Sequence, residues 1–103
     1  MKTSSAKAKG RRFQQWVRDK LIEQLDVHPE DIESRSMARA AREKFPYSIE
    51  CKNRESLNVW KSYEQAESNA GNYEPVLFIK RNKQKPLVVV DAEYFVRLHE
   101  RMD

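Results

Sequence analysis

The sequence has few of the residues that build turns, disulfides and metal sites. Two glycines and four prolines in 103 residues exclude a collagen-like chain or a flexible linker. The single cysteine, Cys51, cannot form an intrachain disulfide, and its isolation favours a reducing cytoplasm. Two histidines far apart and one cysteine do not supply the ligands of a structural zinc site.

Long apolar runs are also absent. No stretch approaches the roughly 20 residues of a membrane span, and no signal-peptide core follows the first residues, so we expect no membrane association. Leu, Ile, Val and Phe make up only about a fifth of the chain, close to the limit for a folded domain. The chain therefore has room for one small core, and a ligand or a dimer partner is expected to help stabilise it.

The net charge of +4 is unevenly distributed. Residues 1–20 carry seven basic side chains against Asp19 alone, and a second basic cluster occupies residues 80–85. Such clusters favour a polyanionic partner because each neutralised phosphate releases counterions, although a solvated tail and a charged turn explain them equally well. The candidate nucleic-acid-binding residues are Lys7, Lys9, Arg11, Arg12, Lys80, Arg81, Lys83 and Lys85.

The first part of the chain divides into a polar arm and a helix. Residues 1–9 are small, polar and basic, and we expect a disordered arm there, followed by a single domain over residues 10–103. Apolar residues every fourth position predict a helix from Arg11 to about Leu25. Gln14 falls on the apolar side of that helix, where a polar residue is usually a satisfied edge residue rather than a functional one.

The remaining pattern predicts a small α/β domain. Residues 30–45 fit a strand or a loop followed by a short helix, and alternation predicts a strand from 47 to 52. Ser56 is the expected cap of a second helix that ends near Gly71. The order of elements predicts a small mixed sheet flanked by helices. The last elements are expected to be two strands (residues 75–81 and 87–90), a turn at 82–85 and a helix capped by Asp91.

The most informative residues are Glu50 and Lys52. Strand alternation places them on one face and buries Ile49 and Cys51 on the other. A carboxylate can hold a hard divalent cation that acidifies water, and a neighbouring ammonium can stabilise the charge of a phosphate under attack. In a chain that is 35% charged, an isolated Glu-x-Lys is more often an ion pair at a strand edge.

In context, this motif resembles the PD-(D/E)XK nuclease superfamily. The likeness is to a small phage-encoded group that is itself similar to Holliday junction resolvases, and it extends from Gly10 to Leu98. The residues that carry it form three blocks: Gly10-Arg-Arg-Phe-Gln-Gln-Trp-Val17, Phe45-Pro-Tyr-Ser-Ile-Glu-Cys-Lys-Asn53 and Trp60-Lys-Ser-Tyr-Glu-Gln-Ala66.

The resemblance implies a restriction-endonuclease-like core and an endodeoxyribonuclease that uses Mg²⁺ or Mn²⁺, with branched DNA as the candidate substrate. Glu50 would be a metal ligand and Lys52 the catalytic lysine. Gln65 would match a helix glutamine that supports the site, and Gln14 a position where relatives often have glutamate. If the chain is phage-encoded, it would work in the host cytoplasm.

One element of the family pattern is missing. The superfamily also has an aspartate on the preceding strand, but Met37 is followed directly by Ala38, without the glycine-rich turn and aspartate of the related sequences. The nearest upstream carboxylates are Asp31 and Glu33, and Glu33 is a weak candidate ligand. A DNA-binding module with weakened catalysis and a phage or host protein-interaction module therefore remain alternatives.

A homodimer is also expected, since resolvase-like enzymes cut two strands and a small core benefits from an interface. The candidate residues for that interface are Trp16, Trp60 and Tyr63.

Overall fold

A computed structural model of the chain describes residues 3–29 and 45–100. The described part is a small mixed α/β domain, as the sequence predicts. The second half of the sequence-based order is confirmed, and the uncertain segment at 30–44 lies outside the described residues. The elements are α1 (Thr3–Leu25), β1 (Tyr47–Asn53), α2 (Val59–Ala70), β2 (Glu74–Lys80), β3 (Leu87–Val89) and α3 (Ala92–Glu100).

The three described strands form one sheet in the order β1-β2-β3. β1 and β2 are parallel, with Glu50 opposite Leu77 and Lys52 opposite Ile79. Parallel strands need a crossover, and α2 provides it. β2 and β3 are antiparallel and form the predicted hairpin, in whose turn Lys83 has a φ of 63°.

The ends of α2 show how local chemistry sets its boundaries. Asn58, rather than the expected Ser56, is the N-cap: its side-chain oxygen accepts a hydrogen bond from the Lys61 backbone N–H at 3.0 Å. Ser56 lies two residues too early to reach the first turn. At the other end, the predicted stop is confirmed, because Gly71 adopts a φ of 58° that residues with a Cβ rarely take.

We expected a disordered arm at residues 1–9. This expectation is wrong for residues 3–9, which belong to α1. Alanine and lysine, which alternate from Ala6 to Lys9, are strong helix formers. The ammonium of Lys9 also lies 3.1 Å from the carboxylate of Glu55, which anchors this end of α1 to the segment after β1.

The described core is small and lies between the sheet and the helices. Leu77 is fully buried at the centre of β2, and Phe13 and Val17 bury one side of α1. Ala66 and Ala70 are also buried, because small side chains let α2 lie close to the sheet. On β1, Ile49 and Cys51 are half-buried rather than buried as expected. The buried residues of the described part are Phe13, Val17, Phe45, Ser48, Ala66, Ala70, Tyr73, Val76 and Leu77.

The last helix begins at the predicted cap. The carboxylate of Asp91 accepts a hydrogen bond from the Tyr94 backbone N–H at 2.9 Å. The Tyr94 hydroxyl donates to the hydroxyl of Tyr47 at 2.8 Å, and this bond connects α3 with the start of β1. None of the helices in the described ranges is both long and apolar enough to cross a lipid bilayer.

Candidate functional site

Glu50 and Lys52 lie on the same face of β1, with Glu50 at the middle of the strand and Lys52 one residue before its carboxyl end. Both side chains are half-buried. A two-residue step along a strand separates their backbones by about 6–7 Å. Within the described ranges no ion pair joins the two groups. The ordinary explanation of a Glu-x-Lys pattern, an ion pair at the strand edge, therefore does not account for this pair.

A third polar residue belongs to the site. The side-chain amide of Asn69 on α2 donates to Oε1 of Glu50 at 3.4 Å, which shows that α2 covers the face that carries Glu50. Sequence reasoning missed Asn69 and selected Gln65, which is exposed one helical turn earlier on the same side of α2. That spacing of four is the signal that could have indicated Asn69.

Cys51 points to the opposite face of β1 and is not available for chemistry. Burial raises the pKa of its thiol to about 12, and the negative charge of Glu50 adds to this effect. A thiol with such a pKa stays protonated at neutral pH, so it is neither a thiolate nucleophile nor a good metal ligand.

The donor set for a divalent cation is minimal. Among the described residues, no group of three or more His, Cys, Asp or Glu side chains lies close enough together to hold a metal ion. Glu50 supplies one carboxylate, and Mg²⁺ is commonly held by one or two carboxylates together with water and phosphate oxygens. The site therefore meets the lower limit for Mg²⁺ or Mn²⁺ in the presence of a phosphate. Asp31 and the weak candidate Glu33 lie outside the described residues.

Gln14 is exposed, so the expectation that it faces the core is wrong. The buried side of α1 is a narrow strip formed by Phe13 and Val17, and Gln14 lies about 100° around the helix from Phe13. α1 also shares a cavity with Asn53, whose position in β1 directs it to the face opposite Glu50. The structure thus places Gln14 on a helix across the sheet from Asn69.

The two basic clusters, far apart in sequence, meet in space. Lys9 and Arg12 of α1 line a cavity of about 430 Å³ together with Lys80, the last residue of β2. Glu55 connects α1 with the β2–β3 turn. One of its carboxylate oxygens accepts hydrogen bonds from the Asn82 backbone N–H at 2.7 Å and from the Lys9 ammonium at 3.1 Å. These bonds hold the pKa of Glu55 below its usual value.

The remaining candidate nucleic-acid-binding residues are exposed. Arg81 and Lys85 line a second cavity, of about 260 Å³, whose lining includes Ile79, the residue opposite Lys52. Lys7 and Arg11 on α1 and Lys83 in the turn are exposed. The carboxyl edge of the parallel strand pair is therefore the basic end of the domain.

The opposite end of the sheet is acidic. Burial raises the pKa of Glu74, at the start of β2, and the nearby charge of Asp91 raises it further. The pKa of Tyr63 is also raised, first by burial and then by Glu74. Among the described residues, Glu74 and Asp91 thus lie at the end of the sheet opposite Lys80.

Comparison of the chain with protein-family models, with curated proteins and with solved structures found no match. The likeness to the PD-(D/E)XK superfamily therefore depends on the three sequence blocks. Beyond these blocks, the arrangement of Glu50, Lys52 and Asn69 and the basic edge of the sheet bear on function.

Proposed function

We propose that the chain is a DNA endonuclease with a restriction-endonuclease-like core, which hydrolyses phosphodiester bonds with Mg²⁺ or Mn²⁺. The observation that carries the proposal is the placement of Glu50 and Lys52. They share one face of β1, Lys52 lies next to the basic end of the sheet, and among the described residues no ion pair joins the two groups. A phosphate drawn to this end meets a carboxylate and an ammonium that are not engaged with each other.

The proposed roles follow from the chemistry of each group. A divalent cation, when bound, lowers the pKa of water and neutralises phosphate charge. Glu50 holds that cation, and Asn69 orients the carboxylate by engaging one of its oxygens. Lys52, nearer the basic end, stabilises the negative charge that develops on the phosphate. Basic side chains along the edge position the DNA backbone without reading its sequence.

The test compares cleavage of branched and linear DNA by the wild type, Lys52→Ala and Lys61→Ala. Lys61 is an exposed lysine on α2 and serves as the matched control. We expect divalent-dependent cleavage by the wild type and by Lys61→Ala, with roughly a hundredfold or greater loss in Lys52→Ala, the usual cost of losing one stabilising group. Equal rates for the wild type and Lys52→Ala would exclude the assigned role of Lys52.

A second candidate is a DNA-binding module without turnover. The observation that favours it is the single carboxylate that the described residues supply to the site. This module would bind DNA in a salt-sensitive and metal-independent way because its affinity comes from counterion release. Binding without cleavage supports it, whereas absence of DNA binding at low salt indicates instead a protein-interaction module.

The proposal includes a homodimer, since cutting both strands calls for two sites. Of the expected interface residues, Trp60 is 80% exposed, Trp16 is 43% exposed and Tyr63 is half-buried. An exposed aromatic ring such as that of Trp60 is typical of a protein interface. Sedimentation equilibrium of the wild type and Trp60→Ala tests this part, with a shift towards the monomer expected for the variant.

A further inference from the structure

The cavity between α1 and the β2–β3 turn has features that the proposed hydrolysis does not use. Its walls are apolar, with Phe13 and Trp16 on α1 and Pro86 after the turn. Arg12 and Lys80 add positive charge, and no carboxylate belongs to the described lining. Its volume of about 430 Å³ is within the range of small-ligand sites. We call this cavity the α1 groove.

Trp16 is exposed although it lies in an apolar wall. Its ring stacks on Phe13, with centroids 6.2 Å apart and an angle of 20° between the planes, and 43% of the residue remains accessible. The ammonium of Lys20 lies 5.6 Å from the Trp16 ring centroid. The stack holds the indole in one orientation, so the α1 groove presents a preformed aromatic surface flanked by positive charge.

Asn53 adds a buried polar atom to the groove. Its Oδ1 is buried and has no hydrogen-bond partner among the described residues, although the side chain lines the α1 groove. Leaving a buried acceptor unpaired is costly, and such atoms are usually satisfied by a donor from water, protein or ligand. A ligand in the groove that carries an N–H or O–H group beside its apolar surface would satisfy this acceptor.

Among the described residues, no carboxylate forms an ion pair with Arg12 or Lys80 of the groove. Lys9 is paired with Glu55, whereas Arg12 is exposed and Lys80 is half-buried, with its ammonium donating to the Arg81 carbonyl at 3.0 Å. Arg12 and Lys80 thus remain available to an anion beside the aromatic wall. A flat ring with N–H donors, attached to a phosphate, matches all of these features.

We propose that the α1 groove takes one unstacked nucleotide of a single DNA strand. The base lies against Trp16 and donates an N–H to Oδ1 of Asn53, and the adjoining phosphate contacts Arg12 and Lys80. The inference rests on the proposed function in taking DNA as the partner, and it makes DNA with unpaired bases the preferred substrate class. Asn53 follows Lys52 in β1 but faces the other side of the sheet, so the groove holds the strand at the same carboxyl end of β1 as Lys52, across the sheet from the proposed site of hydrolysis.

The test uses Trp60→Phe protein, in which Trp16 is the remaining tryptophan and reports directly on the groove. Its fluorescence is titrated in EDTA with a short oligothymidylate, an abasic strand of the same length, a blunt duplex and oligoglutamate. We expect the oligothymidylate to quench Trp16 and to bind about tenfold or more tightly than the abasic strand, the usual contribution of one stacked base. Equal affinity for both strands, or equal quenching by the duplex or oligoglutamate, would overturn the inference.

Two variants sharpen the result. Trp16→Ala should lose the preference for oligothymidylate over the abasic strand, whereas Phe95→Ala, a change at an exposed aromatic residue of α3, should retain it. The fluorescence titration of Trp60→Phe does not use the Trp16→Ala variant. If Trp16→Ala does not fold, that titration alone decides whether a base stacks on Trp16. A Trp16→Ala protein that folds by circular dichroism and keeps the full preference contradicts the assignment.

A parallel cleavage assay of the wild type with Mg²⁺ or Mn²⁺ separates this inference from the proposed function. Cleavage without quenching of Trp16 would remove the groove inference and leave the endonuclease proposal intact. Base-dependent quenching without cleavage would support the groove and remove the endonuclease proposal in favour of the binding module.

Discussion

Asn69 donates a hydrogen bond across 3.4 Å to Oε1 of Glu50, and so joins the crossover helix α2 to strand β1 at the proposed site. Asn69→Asp would place a second carboxylate beside the first and complete a pair of acidic ligands. We expect it to bind Mn²⁺ roughly tenfold more tightly than the wild type, a change of about 1.4 kcal/mol. Electron paramagnetic resonance of free Mn²⁺ measures this, with Asn72→Asp, an exposed position in the turn after α2, as the control. Equal Mn²⁺ affinities of Asn69→Asp and Asn72→Asp would show that Asn69 does not lie at the cation site.

Cys51 should resist thiol reagents in the folded protein. Its pKa of about 12, raised by burial and then by Glu50, leaves about a thousandfold less thiolate at pH 8 than an ordinary thiol has. We expect very slow reaction with Ellman's reagent in buffer and rapid reaction in urea. Glu50→Gln should speed the native reaction by removing the nearby charge, whereas Glu23→Gln should not. Fast labelling of the native wild type would contradict the burial of this thiol.

Glu55 should stabilise the fold at neutral pH. Because its pKa is lower in the folded protein than in the unfolded chain, its contribution is present above the unfolded pKa and is lost as the pH falls through the folded value. We expect Glu55→Gln to have a lower urea midpoint than the wild type at pH 7, with the difference disappearing in acid. The exposed Glu64 provides the control substitution. A difference that persists unchanged in acid would show that the bonds to Lys9 and Asn82 do not depend on ionisation.

Glu74 should destabilise the fold at neutral pH, in contrast to Glu55. Burial and Asp91 raise its pKa in the folded state, so its contribution is greatest below the unfolded pKa and is lost as the pH rises through the folded value. Glu74→Gln should therefore raise the urea midpoint at pH 7 and leave it unchanged near pH 4. Glu93→Gln is the comparison, since Glu93 is exposed and lies 3.9 Å from Arg97. A Glu74→Gln protein no more stable than the wild type at pH 7 would argue against this desolvation.

The sequence was informative where one local rule decided the outcome. The alternation in β1 predicted that Glu50 and Lys52 share a face, and Gly71 and Asp91 marked the end of α2 and the start of α3. Local rules were insufficient where two of them competed. Ser56 and Asn58 are both capable caps, and only the position of the first turn selected Asn58.

The limits of local rules also explain why two predictions for α1, the disordered start and the buried Gln14, were wrong. Composition alone favoured a disordered start, but alanine and lysine also form helices, and the bond from Lys9 to Glu55, 46 residues away, anchors this one. Periodicity placed Gln14 on the apolar side because a helical wheel does not show how wide the buried strip is. That width depends on the shape of the sheet surface against which Phe13 and Val17 pack.

By itself, the sequence determined the order of the strands and helices from β1 onwards and the shared face of Glu50 and Lys52, because backbone geometry and capping act over a few residues. Only the tertiary structure decided that Asn69 contacts Glu50, and that Arg12 and Lys80 line one groove. Those neighbours come together through the crossover of α2 and the packing of α1. Packing depends on contacts between distant parts of the chain, which a local pattern does not encode.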